Sequence, residues 1–195
     1  PCAQGFYTPA HSLDAVCRAC PRDTIAPNEG LSSCGKCNVT DGKFSSVDRT
    51  ECKVCNAGQF TNRSGEQTAC NDCVPGRYQP GGQEACLDCP KGWYQGEGGR
   101  PFCLPCVQGN YNDETGRVQC QQCAAGTASN KVGRSDACPA CPLGRATAFP
   151  GNAQCLDCIA GKYEGEDVDA NGTTVKICLN CTEGRFSTES NAVAC

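Results

Sequence analysis

The sequence predicts a small disulfide-rich repeat fold: an elongated rod of stacked short β-hairpins with little helix and no large hydrophobic core. Three observations predict it. Twenty-two of 195 residues are cysteine, a density at which a disulfide scaffold is the first reading. Leu, Ile, Val and Phe together number only 27, too few to offset the entropy of ordering the chain by burial alone. And the cysteines recur with a fixed period, the mark of a repeat architecture.

Covalent links must supply what the core cannot. Disulfides at this density persist in oxidising compartments, so the location expected is extracellular or the cell surface, by way of the secretory path. The even count permits complete pairing. The net charge is −4, and no Lys/Arg run marks a nucleic-acid partner. No apolar run approaches a membrane span.

The period is about 17 residues. Ten C-x-x-C pairs occur, at 17/20, 34/37, 52/55, 70/73, 86/89, 103/106, 120/123, 138/141, 155/158 and 178/181, with Cys2 and Cys195 standing alone. Twelve to 14 residues separate successive pairs, except for one gap of 19. Residues 1–195 therefore read as one continuous array of about eleven repeats. Cys2 reads as the second half of a pair and Cys195 as the first half of another, so the array is expected to continue in both directions.

A Gly-x-aromatic motif follows the second Cys of most pairs: Gly5-Phe-Tyr7, Gly58-Gln-Phe60, Gly76-Arg-Tyr78, Gly92-Trp-Tyr94, Gly109-Asn-Tyr111, Gly161-Lys-Tyr163 and Gly184-Arg-Phe186. The repeats opening at Cys123 and Cys141 keep the Gly but put Ala128 and Ala146 at the aromatic position. The repeat at Cys37 has two extra residues before Gly42-Lys-Phe44, and the repeat at Cys20 lacks the motif. A Gly fixed in a repeat implies positive φ or close backbone approach. The aromatic two residues on can cover a neighbouring disulfide, the only substantial apolar surface in so short a unit. Polar turn residues fill the rest. Each repeat is thus a hairpin closed by a bond and stacked on the next, a quasi-one-dimensional array.

Three pairings compete. A ladder joins the second Cys of each pair to the first of the next. It would bond Cys2 to Cys17, Cys20 to Cys34, Cys37 to Cys52, Cys55 to Cys70, Cys73 to Cys86 and Cys89 to Cys103. Further along it would bond Cys106 to Cys120, Cys123 to Cys138, Cys141 to Cys155, Cys158 to Cys178 and Cys181 to Cys195. It consumes every cysteine, and each loop of roughly 15 residues would contribute about 3 kcal/mol in the chain-entropy picture. Bonds could instead interlace between adjacent pairs, or each C-x-x-C could close on itself. The spacing also resembles a zinc ribbon, but zinc modules alternate long and short gaps, and this chain does not. No metal and no cofactor is expected.

The pattern C-x-x-C-x-x-G-x-[FY], as in Cys70-Asn-Asp-Cys73-Val-Pro-Gly76-Arg-Tyr78, resembles the ephrin-receptor-like cysteine-rich repeats. One unit also resembles the first submodule of tumour-necrosis-factor-receptor domains, which implies the ladder pairing. The six-Cys domains of those receptors are missing. Repeats of the ephrin-receptor-like kind occur in receptor ectodomains and in large extracellular structural glycoproteins, including those of flagellar hairs, the mastigonemes. The resemblance implies a structural segment of an extracellular glycoprotein, acting as a stiff spacer or filament-forming scaffold. Its alternative is a receptor or adhesion stalk presenting a protein-binding surface. The partners expected are proteins, through self-association or neighbouring chains.

The sequons at Asn38, Asn62 and Asn171 are expected to carry N-linked glycans; that at Asn180 is disfavoured because its middle residue is Cys181. Asp167-Val-Asp169-Ala-Asn171-Gly172 matches the opening of a calcium loop. Its twelfth position is Cys178 rather than Glu, and Asn-Gly is equally a hairpin turn. The single histidine, His11, reads as a loop residue, and no catalytic constellation can be built around it, so no enzyme is expected. Trp93-Tyr94 reads as a cap over the 73–86 and 89–103 bonds. Phe102, Phe149, Ile159 and Ile177 have no core to enter and are expected to face neighbouring chains.

Overall fold

A computed structural model describes residues 1–10, 16–39, 42–62, 69–81, 85–168, 172 and 174–195. Its regular elements are all short antiparallel strands. They form nine separate two-stranded hairpins among these residues, and eleven sequential disulfides run along the chain.

The ladder is the pairing adopted. In the first half the bridges are Cys2–Cys17, Cys20–Cys34, Cys37–Cys52, Cys55–Cys70 and Cys73–Cys86, with Cα–Cα distances of 5.5–5.8 Å. In the second they are Cys106–Cys120, Cys123–Cys138, Cys141–Cys155, Cys158–Cys178 and Cys181–Cys195, at 5.4–5.7 Å. Both ranges are ordinary spans. Cys89 and Cys103 are disulfide-bonded as well.

The hairpins follow one plan. The first strand begins just after the motif Gly, and the second carries the two residues inside C-x-x-C. In the pair β9 (Arg77–Tyr78) and β10 (Leu87–Asp88), Arg77 faces Asp88 and Tyr78 faces Leu87. The position between Gly and the aromatic thus meets the last residue before the second Cys. Arg77 binds Asp88 at 2.7 Å and Arg145 binds Asp157 at 2.6 Å. Gln59 donates to Asp72 at 2.9 Å in the same register. These cross-strand pairs are half-exposed and contribute about 0.2–1 kcal/mol each.

The 19-residue gap forms the longest hairpin. In it β17 (Lys162–Val168) pairs with β18 (Thr174–Asn180) over seven residues.

Two compact units are distinguished. One comprises residues 1–88 and 97–103, the other residues 89–96 and 104–195. In the first, the opening cysteines Cys2, Cys20, Cys37, Cys55 and Cys73 are buried. Their partners Cys34, Cys52, Cys70 and Cys86 are only half-buried, and Cys17 is exposed. In the second unit, Cys89, Cys106, Cys123, Cys141 and Cys158 are the buried ones. Each unit is therefore built around a row of half-cystines rather than a cluster of aliphatic side chains. Between them sit small or polar side chains: Ala26, Thr61 and Gln79 in the first, and Gln95, Asn112, Ser129 and Thr147 in the second. These seven occupy one repeat position, the residue after the aromatic, whereas Ser46, also buried, stands one residue further on.

The sequence expects each repeat to stack on the next. The structure adds contacts with the second neighbour, because Gly5, Gly58, Gly92, Gly109 and Gly144 each pack on a backbone carbonyl two repeats ahead.

Candidate functional site

The feature that recurs and joins repeat to repeat is the joint around the motif Gly. Four backbone hydrogen bonds build it, as at repeats 6 and 7, opened by Cys89 and Cys106. The N–H of Gly92 donates to the carbonyl of Asn112 at 2.8 Å, and the Gly92 carbonyl accepts from the N–H of Cys106 at 2.8 Å. The N–H of Gln95, after the aromatic, donates to the Arg117 carbonyl at 3.1 Å. The loop residue Gly116 donates to the Cys89 carbonyl at 2.8 Å. The same four roles return one repeat on, with Gly109 to Ser129, Cys123 to Gly109, Asn112 to Arg134 and Gly133 to Cys106, at 2.7–3.0 Å. In the other unit Gly58 donates to Gln79 at 2.7 Å and Gln79 to Arg100 at 3.2 Å. Backbone groups that a two-residue strand would leave unpaired thus bond to the next repeat, as buried backbone must.

Glycine is needed here on two counts. Gly109 has φ +75°, and a Cβ on it would overlap the carbonyl of Gly151, two repeats ahead. Both readings of the repeated Gly, positive φ and close approach, are therefore met at once.

The repeat at Cys20, which lacks the motif in sequence, keeps its geometry. Asp23 stands in the Gly place at φ +58°, and its carbonyl accepts from the Cys37 N–H at 2.8 Å. Ile25 replaces the aromatic, and Ala26 after it is fully buried. Asp tolerates left-handed backbone better than most residues, which is why the joint survives the change.

Two of the aromatics lie beside a half-cystine of the following repeat. Phe60 and Cys86 line one shallow depression, and Tyr94 and Cys120 line another. Cys120 is the closing half of the Cys106–Cys120 bridge.

At Gly144 a carboxylate enters the joint. Glu164, the residue after the aromatic Tyr163, has a nearly buried carboxylate. Its Oε2 accepts from the Gly144 N–H at 2.6 Å, and its Oε1 pairs with Lys176 Nζ. The Lys176 ammonium, followed by the Gly144 amide, holds this carboxyl below the usual carboxylate range. On the surface of the first unit, Asp48 is lowered by the Ser46 hydroxyl at 2.5 Å and then by Thr50.

Asn38 is exposed and Asn62 half-buried at the end of β7 (Gln59–Asn62). Thr40 and Ser64 of their sequons, all of Asn171 and Thr173, Asp169 and His11 lie outside the described residues. Asp167 Oδ1 accepts from the Val168 N–H at 2.8 Å, and Asp167 faces Val175 across the long hairpin. Phe102, Phe149 and Ile159 are exposed, and Ile177 is half-buried. No helix among the described residues is long and apolar enough to cross a membrane.

The sequence reading missed two features. One is the buried position after the aromatic, whose signal is that Ala, Thr, Ser, Gln, Asn or Glu always fills it and never a large apolar residue. The other is the cross-strand pairing of Arg77 with Asp88 and of Arg145 with Asp157.

Residues 76–117 match the family described as "Tyrosine-protein kinase ephrin type A/B receptor-like". The regular run of Cys pairs along the chain fits the same cysteine-rich repeat. No curated protein matches the chain.

Proposed function

We propose that this chain is a stiff spacer or filament-forming scaffold within an extracellular structural glycoprotein. An extracellular or cell-surface location follows from the disulfide density and from the ephrin-receptor-like repeat. Repeats of this class and fold are typical of non-catalytic extracellular modules. The observation that carries the spacer reading is the joint. Within each unit, repeats are bonded to the next through main chain and touch the one after it, as Gly109 touches Gly151. Bending at a joint would have to break both kinds of contact.

On this reading the eleven repeats form one continuous array, and N-linked glycans at Asn38, Asn62 and Asn171 keep parts of its surface apart from neighbouring chains. The exposed Phe102, Phe149 and Ile159 are where neighbouring chains, or further copies, would meet it. Small-angle scattering of residues 1–195 tests the spacer. A radius of gyration well above the roughly 16 Å of a globule of this length is expected, and a value at that figure would overturn it. Glycosidase treatment of the secreted protein should lower its mass by whole N-glycans, and no change would remove the glycan assignment.

The family match favours a second reading, a receptor or adhesion stalk. It predicts a soluble protein ligand captured by this segment, which the spacer reading does not require.

A further inference from the structure

Asn180 ends β18 and opens the sequon Asn180-Cys181-Thr182. Asn180 and Thr182 are exposed, and Cys181 between them is half-buried. Asn180 lies opposite Lys162 at the open end of the long hairpin, so pairing of β17 with β18 leaves its side chain accessible. A sugar there would displace no buried side chain. The acceptor pattern, Asn-x-Ser/Thr with x other than Pro, is met. What disfavours it is the half-cystine in its middle.

The pairing removes that objection. Cys178, just before Asn180, bonds backward to Cys158, but Cys181 bonds forward to Cys195, 14 residues later. A chain that emerges from its N-terminus at about 5–20 residues per second presents Asn180 roughly 1–3 s before Cys195 arrives. Disulfide formation itself takes seconds to hours. Cys181 is therefore still a thiol when the sequon becomes available, and the repeat that the Cys181–Cys195 bond closes is not yet folded. A bond from Cys181 to any earlier cysteine could lock the triplet as it emerged; the ladder does not.

We propose that Asn180 carries an N-linked glycan in addition to those at Asn38, Asn62 and Asn171. In the transfer, Asn180 Nδ2 bonds to the anomeric carbon of a lipid-diphosphate-linked oligosaccharide. The bond from that carbon to the diphosphate oxygen breaks, the lipid diphosphate leaves, and one amide proton passes to solvent. The proposal rests on the reading of the chain as a secreted glycoprotein. It adds a site that the direction of the disulfides, and not the motif alone, makes available.

The test secretes the whole 195-residue chain from a eukaryotic cell. An amidase acting in heavy-oxygen water removes the glycans and converts each occupied Asn to labelled Asp, and the reduced peptides are read by mass. Label is expected at Asn180 in most molecules. Thr182→Ala, at an exposed position, should fold and abolish that label while leaving those at Asn38 and Asn62. Cys195→Ser, which leaves Cys181 without its partner, should not change the occupancy of Asn180, read on the chain inside the cell so that secretion is not required. Label at Asn38 or Asn62 with none at Asn180 would overturn this proposal and keep the glycoprotein. No label at any sequon would overturn both. Label at Asn180 that survives T182A would be deamidation rather than a glycan and would overturn the proposal as well. Occupancy that rises severalfold in C195S would show the bond closing first and overturn the order of events argued from the pairing.

Discussion

The Gly144 N–H donates to a carboxylate oxygen of Glu164 at 2.6 Å, where Gly58, Gly92 and Gly109 find a main-chain carbonyl. Glu164 is also paired with Lys176, and both partners hold its carboxyl below the usual range. A carboxyl whose folded value is depressed stabilises the fold above its unfolded value. That contribution fades as pH falls through the folded value. The Gly144 amide should therefore exchange with solvent faster as the solution is taken below the ordinary carboxylate range. E164Q should flatten that dependence and cost about 2 kcal/mol, as expected for a lost charged hydrogen bond. Exchange of Gly144 that is independent of pH, after correction for intrinsic rates, would contradict the assignment.

Two glycines separate the effect of backbone angle from that of close approach. Gly161 and Gly109 have similar positive φ, but nothing lies within 4 Å of a Cβ on Gly161, whereas one on Gly109 overlaps the Gly151 carbonyl. G161A should cost only the left-handed backbone term of about 1–2 kcal/mol. G109A should cost more, because the second-neighbour contact must open as well. Denaturant titration of both variants measures the difference; equal losses would mean that close approach contributes nothing.

Peptide mapping under non-reducing conditions should recover Cys20 joined to Cys34, Cys37 joined to Cys52 and Cys106 joined to Cys120. A peptide joining Cys34 to Cys37, or one joining Cys34 to Cys52, would replace the ladder with another pairing.

Reductant should unfold the chain while EDTA leaves it intact, because the cysteines that a zinc site would need are held in disulfides. Residue-resolved amide NMR shifts distinguish the outcomes. Unfolding by chelator alone would restore zinc, and a change confined to residues 164–177 would point to calcium in the long hairpin.

The hairpins were legible because cysteine spacing and the Gly-x-aromatic motif repeat at fixed offsets, whereas spacing alone left three pairings open. What the period could not show is direction. Nothing in Cys89-Pro-Lys-Gly92-Trp-Tyr94 says that Tyr94 shares a depression with Cys120 of the repeat ahead. Polar composition also concealed the interior. Gln79 and Asn112 read as loop residues, yet both are fully buried. The Asn112 amide donates to the Trp93 carbonyl at 3.1 Å, a use that composition does not reveal. The repeat at Cys20 escaped the motif because Asp23 reproduces a backbone angle and not a residue type.

The ladder of bridges also limits how far the molecule can be drawn out by force. Tension applied at the two ends would travel through each S–S bond and the two residues inside each C-x-x-C, leaving the hairpin loops slack beside the stressed path. Even with every hydrogen bond broken, the chain could lengthen to only about 170 Å, against roughly 650 Å for the same residues fully extended without bridges. Such a tether yields by a short, fixed amount and then holds until a covalent bond fails. A reducing environment would release most of its hidden length at once.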